Sequence, residues 1–479
     1  MSVSTYILSI VLIPFIGAFF LPLLGKLSAK LRNFTAFFLV LTSLALSIKI
    51  IPFALAGKTA TFSINFPLGF NFVLYADALA VFMAVTSMLI GLVIVLYSFG
   101  YINHYNNQNE YYSMVVLFLG SMMGIVFSAN LIFLYIFWEI TGIVSWRLIG
   151  FFRGKTDVLR ADKAFLVTVF GALAMLLGFV YIYQQTGSFD LLAIKQAQLI
   201  HPISNIAIIL ILAGILSKSA TLPFHTWLPD AGVAPSPVTA LLHAAVLVKI
   251  GVYVFARLFI STIDIGMIWH QIIPWVAGIS ALISAGAALV DTDFKRIVAY
   301  STISQIAFIF LGLSVGNEIG VAGGLLYILM HGLAKAGLFL CAGIVEQNTK
   351  TKDITKLGGL IKTMPLTAVA FLFCAFSVMG IPPFGGFFSK YLVFAGSIQS
   401  GQLAVTLVFL VGAFLTILYL LRLFNAVFLG EEKIPGADKA PTMVFSVILL
   451  AFLSFVGGIL VNYPLQFSLM AAKQMLGVN

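Results

Sequence analysis

Runs of about twenty consecutive apolar residues follow one another along almost the whole chain, and this feature leaves few folds open. A run of that length crosses a bilayer as a helix, because in lipid every backbone N–H and C=O must find its partner within the segment. About fourteen such runs can be counted, near residues 5–24, 33–53, 75–99, 112–129, 130–151, 162–183, 203–227, 237–259, 274–291, 295–314, 320–345, 365–396, 403–428 and 441–461. Only Ser128-Ala129-Asn130 separates the fourth from the fifth. Of 479 residues, 61% are hydrophobic and 9% charged, a balance with too little polar surface for a soluble domain. The expected fold class is an all-α polytopic membrane protein, a single membrane domain over residues 1–479. The first run, Tyr6 to Leu24, has no basic region before it and no small-residue cleavage site, so it reads as a retained helix.

The net charge of +10 does not point to nucleic acid, because the basic residues gather in short loops between the apolar runs. Such loops set orientation. An even number of spans places both termini on one side, and the loops of the other side carry most of the Lys and Arg, Lys26, Arg153, Lys155, Lys350 and Lys356 among them. Both termini are therefore expected on the outer face of a prokaryotic cytoplasmic membrane. Cys341 and Cys374 fall inside apolar runs and read as packing residues. The sequence has no metal-ligand spacing, phosphate loop, haem attachment motif or nucleophile–base signature. No catalytic residue, bound cofactor or metal is expected of this chain.

Against that apolar background five charges stand out: Lys218, Lys249, Lys335 and Lys390, with Glu139 the one acidic residue deep in a span. A charge at mid-bilayer costs at least ~3 kcal/mol on insertion scales, so such residues are functional candidates. A lone lysine near a helix end can simply snorkel to the interface, but five together suggest a route for charge. Glu139 is the natural partner for Lys218, either as a switch of its protonation or as a fixed structural pair. His243 and Lys249 share the eighth run, in LLHAAVLVKIGVY. His331 and Lys335 share the eleventh at i, i+4 spacing, on one helix face. A histidine titrates near neutral pH and can pass a proton between longer-armed lysines, or it can serve as an interhelical hydrogen-bonding residue. Lys295, His225 and Arg147 are lesser candidates, for proton uptake, relay or tuning, with a solvated corner, a helix-break filler and a snorkelling anchor as the respective alternatives.

Two runs carry helix breakers at mid-membrane. The seventh contains Pro223 and Pro229 in GILSKSATLPFHTWLPDAG, and the twelfth contains Pro382 and Pro383 in CAFSVMGIPPFGGFFSKYLV. Proline removes a backbone donor, and the freed groups must be met by protein or a polar cavity. Paired interruptions, one per half, are a mark of inverted-repeat transporters, and each has a lysine close by.

Taken together FWE (137–139), GILSKSATLPFHTWLPDA (214–231), PSPVTALLHAAVLVKIG (235–251), DFKRIVAYSTISQ (293–305), HGLAKAGLFL (331–340) and GIPPFGGFFSK (380–390) resemble the antiporter-like subunit family. That family includes proton-pumping membrane subunits of respiratory complex I, large subunits of Mrp cation/proton antiporters, and matching subunits of membrane-bound (group 4) hydrogenases. The resemblance covers about residues 75–430. It implies fourteen helices with two inverted five-helix repeats and broken helices 7 and 12. Residues 1–110 would be helices 1–3, 111–260 the first repeat, 261–430 the second, and 431–479 helix 14. By the same resemblance Glu139 and Lys218 form the pair on helices 5 and 7, and Lys249, His331 and Lys335 the central relay. Lys390 would be the exit site. It also implies partners: other antiporter-like and small hydrophobic membrane subunits, with iron–sulfur or nickel–iron redox subunits in some complexes, and protons or sodium as the moved ion. The union of Lys249 with Lys390 looks most like the Mrp D-type and hydrogenase-associated members. Departures are Tyr327, where several relatives have a histidine, and Trp146-Arg147, where a small or Tyr-Leu pair is usual. The chain also ends without the lateral helix of the largest complex I member.

Overall fold

The computed structural model describes residues 2–67 and 70–478. The chain opens with α1 (Val3–Leu27) and α2 (Ala29–Lys49), hinged at Ser28, whose hydroxyl caps the second helix at Leu31. After a short α3 (Ile51–Leu55) comes a hairpin absent from the sequence expectation, β1 (Ala60–Ile64) paired antiparallel with β2 (Phe72–Ala76). Then follow α4 (Ala78–Tyr101), α5 (Gln108–Phe127), α6 (Leu131–Ile149) and α7 (Lys155–Thr186). Ser128-Ala129-Asn130 does separate two helices, and Asn130 caps α6 through Ile132 N.

The seventh expected span is in pieces. α8 (Leu191–Ala197) leads into α9 (Asn205–Lys218), which stops at the break, and only the short α10 (Trp227–Asp230) follows. The eighth is distorted as well: α11 (Ser236–Ala240) passes through a single π-helical turn, Leu241–Ala245, before α12 (Leu247–Phe259). Beyond these lie α13 (Met267–Val290), α14 (Phe294–Ser314) and α15 (Glu318–Thr349). The twelfth expected span divides into α16 (Pro365–Met379) and α17 (Gly385–Gln399). α18 (Leu403–Phe428), α19 (Pro441–Ile459) and an unexpected final helix, α20 (Asn462–Leu476), complete the chain. Twelve of the described helical segments are long and apolar enough to cross a membrane unaided. The two remaining expected spans are those cut by Pro223 and Pro382-Pro383.

This is a multi-pass membrane protein. α12, α14 and α15 form its interior and are almost wholly buried. The outward faces of α1, α7, α13 and α18 present Phe19, Leu166, Phe170, Ile279 and Phe414, a surface suited to acyl chains. With no hydrophobic drive between helices in lipid, close packing of small residues holds the bundle together. At Gly251 of α12 an added Cβ would lie 2.6 Å from the carbonyl oxygen of Ile215 on α9, so the two backbones touch beside Lys218 and Lys249.

Candidate functional site

The charges expected inside the membrane are all buried, and hydrogen bonds sort them into three groups. In the first, Lys218 ends α9 at the break, fully buried, and its Nζ donates to the Trp138 carbonyl oxygen of α6 at 3.2 Å. The ammonium also lies 5.1 Å from the centroid of the Trp138 ring. Glu139 follows Trp138 on α6, and its buried Oε1 has no hydrogen-bond partner. The two charges face each other across Gly142, where a Cβ would stand 3.5 Å from Nζ and 3.8 Å from Oε2. A cation bonded to a neutral carbonyl beside a free carboxylate oxygen is an arrangement with two available pairings.

In the second group, Lys249 of α12 meets His331 of α15, Nζ to Nδ1, at 2.5 Å. Two nitrogens at that distance share one proton, because one must present N–H and the other a lone pair. His331 Nε2 has no partner. His243 is carried by the π-helical turn, with its ring 4.4 Å from that of Phe339 and neither ring nitrogen hydrogen-bonded to protein. Single π turns inside helices often mark functional sites.

In the third group, Lys335 lies one turn beyond His331 on α15, yet it reaches a different helix. Its Nζ donates to Ser301 Oγ at 2.5 Å and to the Val298 carbonyl at 3.2 Å, both on α14. Lys390 of α17 folds back over the second break and donates to the Val378 carbonyl at 2.7 Å, an oxygen released where α16 ends. It lies 4.6 Å from the Phe308 ring centroid and 5.6 Å from that of Tyr327. At the first break the corresponding service falls to Trp227, whose indole N–H donates to the Ser217 carbonyl at 3.0 Å. Freed backbone groups at both breaks thus end on protein.

The lesser candidates separate from this interior. Arg147 is bound to Glu110, which Arg153 also meets at 2.8 Å, so its guanidinium is engaged away from Glu139. His225 is half-buried within the first break, with Nδ1 unpartnered. Lys295 is buried, pairs with Glu346 at 2.6 Å, and donates to the Ala234 carbonyl at 3.2 Å. Glu346 is partly exposed, which makes this pair a bridge between the aqueous edge and the interior. Beside it Asp230, just past the first break, binds both Lys163 (2.7 Å) and Arg296 (2.8 Å).

Sequence reasoning missed Glu346 and Asp230, which gave no signal beyond lying at loop edges. It also took Asp77 for an interfacial residue. The structure buries Asp77 against Arg257 in a bidentate pair at 2.5 and 2.8 Å, with Arg257 Nε donating to Tyr253 OH at 2.9 Å. Ser301 and Gln305 had a signal that went unused, two polar residues at i, i+4 in an apolar run.

The transmembrane model described as NADH:quinone oxidoreductase/Mrp antiporter matches residues 128–416. The chain belongs to that family. A second model, the N-terminus of NADH-ubiquinone oxidoreductase (complex I) chain 5, matches residues 62–112. Similar curated proteins include the A-type Na(+)/H(+) antiporter protein of Alkalihalophilus pseudofirmus, 33% identical over 94% of this chain and 60% of that protein. The protein of the same name from Bacillus subtilis is 34% identical over 92% of this chain and 59% of that protein. The chain thus spans about 60% of the length of these relatives. Both relatives are of the A type, whereas the residue pattern alone looked nearer to D-type and hydrogenase-associated members. Among solved structures, a chain of the Mrp complex from Dietzia sp. aligns with TM-score 0.91 at 23% identity, covering 99% of this chain and 98% of that one. A chain of respiratory complex I from Thermus thermophilus aligns with TM-score 0.86 at 22% identity over 98% and 100%. At such identities the likeness is one of fold.

Proposed function

We propose that this chain is a proton-translocating, antiporter-like membrane subunit of a larger complex in a prokaryotic cytoplasmic membrane, with both termini on the outer face. Protons enter from the cytoplasmic edge near Glu346 and Lys295. Glu139 modulates Lys218, the proton moves through His243, Lys249, His331 and Lys335, and Lys390 exchanges it with the outer face. The direction reverses where a cation gradient drives the system. The observation that carries this reading is the buried Lys249–His331 contact at 2.5 Å, a proton-sharing pair between two interior helices. A purely structural role for the charges would favour closed ion pairs, whereas the Glu139 Oε1 and His331 Nε2 atoms are unpaired.

Two parent complexes suit such a chain. One is a redox-driven, complex I-like or hydrogenase-type pump, in which iron–sulfur or nickel–iron partners hold the redox groups and this chain holds none. The other is a multisubunit Mrp-type antiporter exchanging sodium or potassium for protons, and the names of the curated relatives favour it. Gentle purification from native membranes with mass spectrometry of the co-purifying subunits separates the two. Redox subunits, with donor-driven proton uptake, support the first. Small hydrophobic subunits alone, with sodium-dependent proton exchange in the absence of a donor, support the second. Wild-type transport by Lys218→Ala in a normally assembled complex contradicts both.

A further inference from the structure

Gln305 is fully buried on α14 and has no part in the relay proposed above, yet it is the centre of a hydrogen-bonded chain between two of its lysines. Lys335 Nζ donates to Ser301 Oγ at 2.5 Å, and Ser301 Oγ lies 2.7 Å from Tyr419 OH. Gln305 Nε2 donates to Tyr419 OH at 3.4 Å and to Thr416 Oγ1 at 3.1 Å. On its other side Gln305 Oε1 accepts from Tyr327 OH at 2.5 Å. The Tyr327 ring then faces the Lys390 ammonium. Ser301, Gln305, Tyr327, Thr416 and Tyr419 are all completely buried.

The chain is continuous in hydrogen bonds but not in its capacity to carry a proton. The Thr416 hydroxyl donates to the Gly412 carbonyl at 2.8 Å, so toward Gln305 it presents only lone pairs. That fixes the amide with its nitrogen toward Thr416 and Tyr419 and its oxygen toward Tyr327. An ammonium has donors only, so Ser301 accepts from Lys335 and passes its own proton to Tyr419. There the next group toward Lys390 is an amide N–H, which has no lone pair to receive a proton. From the other side, a proton delivered by Tyr327 to Oε1 could proceed only if the amide released an N–H proton to Tyr419. That would leave the imidic acid form, with C=N and O–H in place of C=O and N–H.

We infer that Gln305 is an insulating link: it ties the Lys335 and Lys390 halves together and bars direct proton passage between them in this arrangement. Its consequence is protection against slippage between the central and outer sites. This inference rests on the proton-translocating reading, but its test reads passive leak, whereas that reading is tested by driven transport.

The intact complex carrying Gln305→Glu or Gln305→Met is reconstituted in liposomes without donor or sodium. A potassium diffusion potential is imposed and proton influx is followed with an internal pH dye. A carboxyl group can take a proton on one oxygen and release it from the other, so Gln305→Glu is expected to raise the leak roughly tenfold, short of the full effect of a positioned proton carrier because other steps then limit flux. The apolar Gln305→Met, of similar length, is expected to leave the leak at the wild-type level. In the Gln305→Glu background, Lys335→Leu or Lys390→Leu is expected to return the leak to that level. An unchanged leak in Gln305→Glu, an equal leak in Gln305→Met, or a leak indifferent to both lysines would overturn the inference. Normal driven transport by the single lysine variants would instead refute the proton-translocating reading.

Discussion

The Lys249–His331 contact gives the most quantitative prediction, because one substitution separates its bonding role from its titrating role. Lys249 is 1% exposed, and its Nζ lies 2.5 Å from His331 Nδ1. Replacing His331 with alanine removes a hydrogen bond to a buried charged group, a loss of about 1.5–3 kcal/mol. If that loss falls on the charged state of Lys249 during transport, the rate falls by about 10–150-fold, since each 1.36 kcal/mol is about tenfold. Glutamine is the informative alternative: its Oε1 can accept from the ammonium, but it cannot titrate. The assay is proton flux in liposomes containing the native complex, normalised to the amount of this chain assembled. His331→Ala is expected to assemble and lose flux by that factor. His331→Gln is expected to assemble at least as well and still lack flux. Wild-type flux in His331→Gln would show that imidazole titration has no part in transport. Flux within about threefold of wild type in a well-assembled His331→Ala complex would remove the pair from the route, because the loss calculated from the bond is larger.

Glu139→Gln removes the charge facing Lys218, an interaction worth at most about 4 kcal/mol at 4 Å and an effective dielectric of about 20; driven flux should drop about tenfold or more with assembly unchanged, and Glu139→Asp should fall between. Asp77→Ala strands the buried Arg257 guanidinium and should cost about 3–5 kcal/mol of stability, read as a lower unfolding temperature in detergent. The double change Asp77→Leu with Arg257→Leu should cost less than the single one, and a larger cost would contradict the account of that pair. Gly251→Val drives a side chain toward the Ile215 carbonyl, which a Cβ would already approach to 2.6 Å. It should destabilise by about 1–3 kcal/mol and slow transport, whereas normal stability would mean that α9 and α12 can separate freely.

What the sequence made legible follows from how strongly the bilayer constrains a chain. Each crossing needs an apolar run, so helix positions were readable, and a charge in such a run is conspicuous, so Glu139 and the four lysines were found one by one. Prolines announced both breaks. Pairing was not readable, because it depends on residues distant in sequence. His331 and Lys335 share a helix face, yet one turns to Lys249 of α12 and the other to Ser301 of α14. The π-helical turn that carries His243 has neither proline nor glycine within it, so its distortion arises from packing and left no local trace. The Asp77–Arg257 pair joins residues separated by 180 positions, and a charge near a helix end reads as interfacial until its partner is seen. The β1–β2 hairpin and α20 were overlooked because attention to membrane-length runs passes over short amphipathic segments.

The account turns on whether protons cross through the buried lysines. The decisive measurement is driven proton flux in the reconstituted native complex with Lys218, Lys335 and Lys390 each replaced by leucine, at matched assembly. Loss of flux in all three, with the complex intact, is the predicted result. Wild-type flux in any one of them would show that the lysine in question holds helices together and carries nothing.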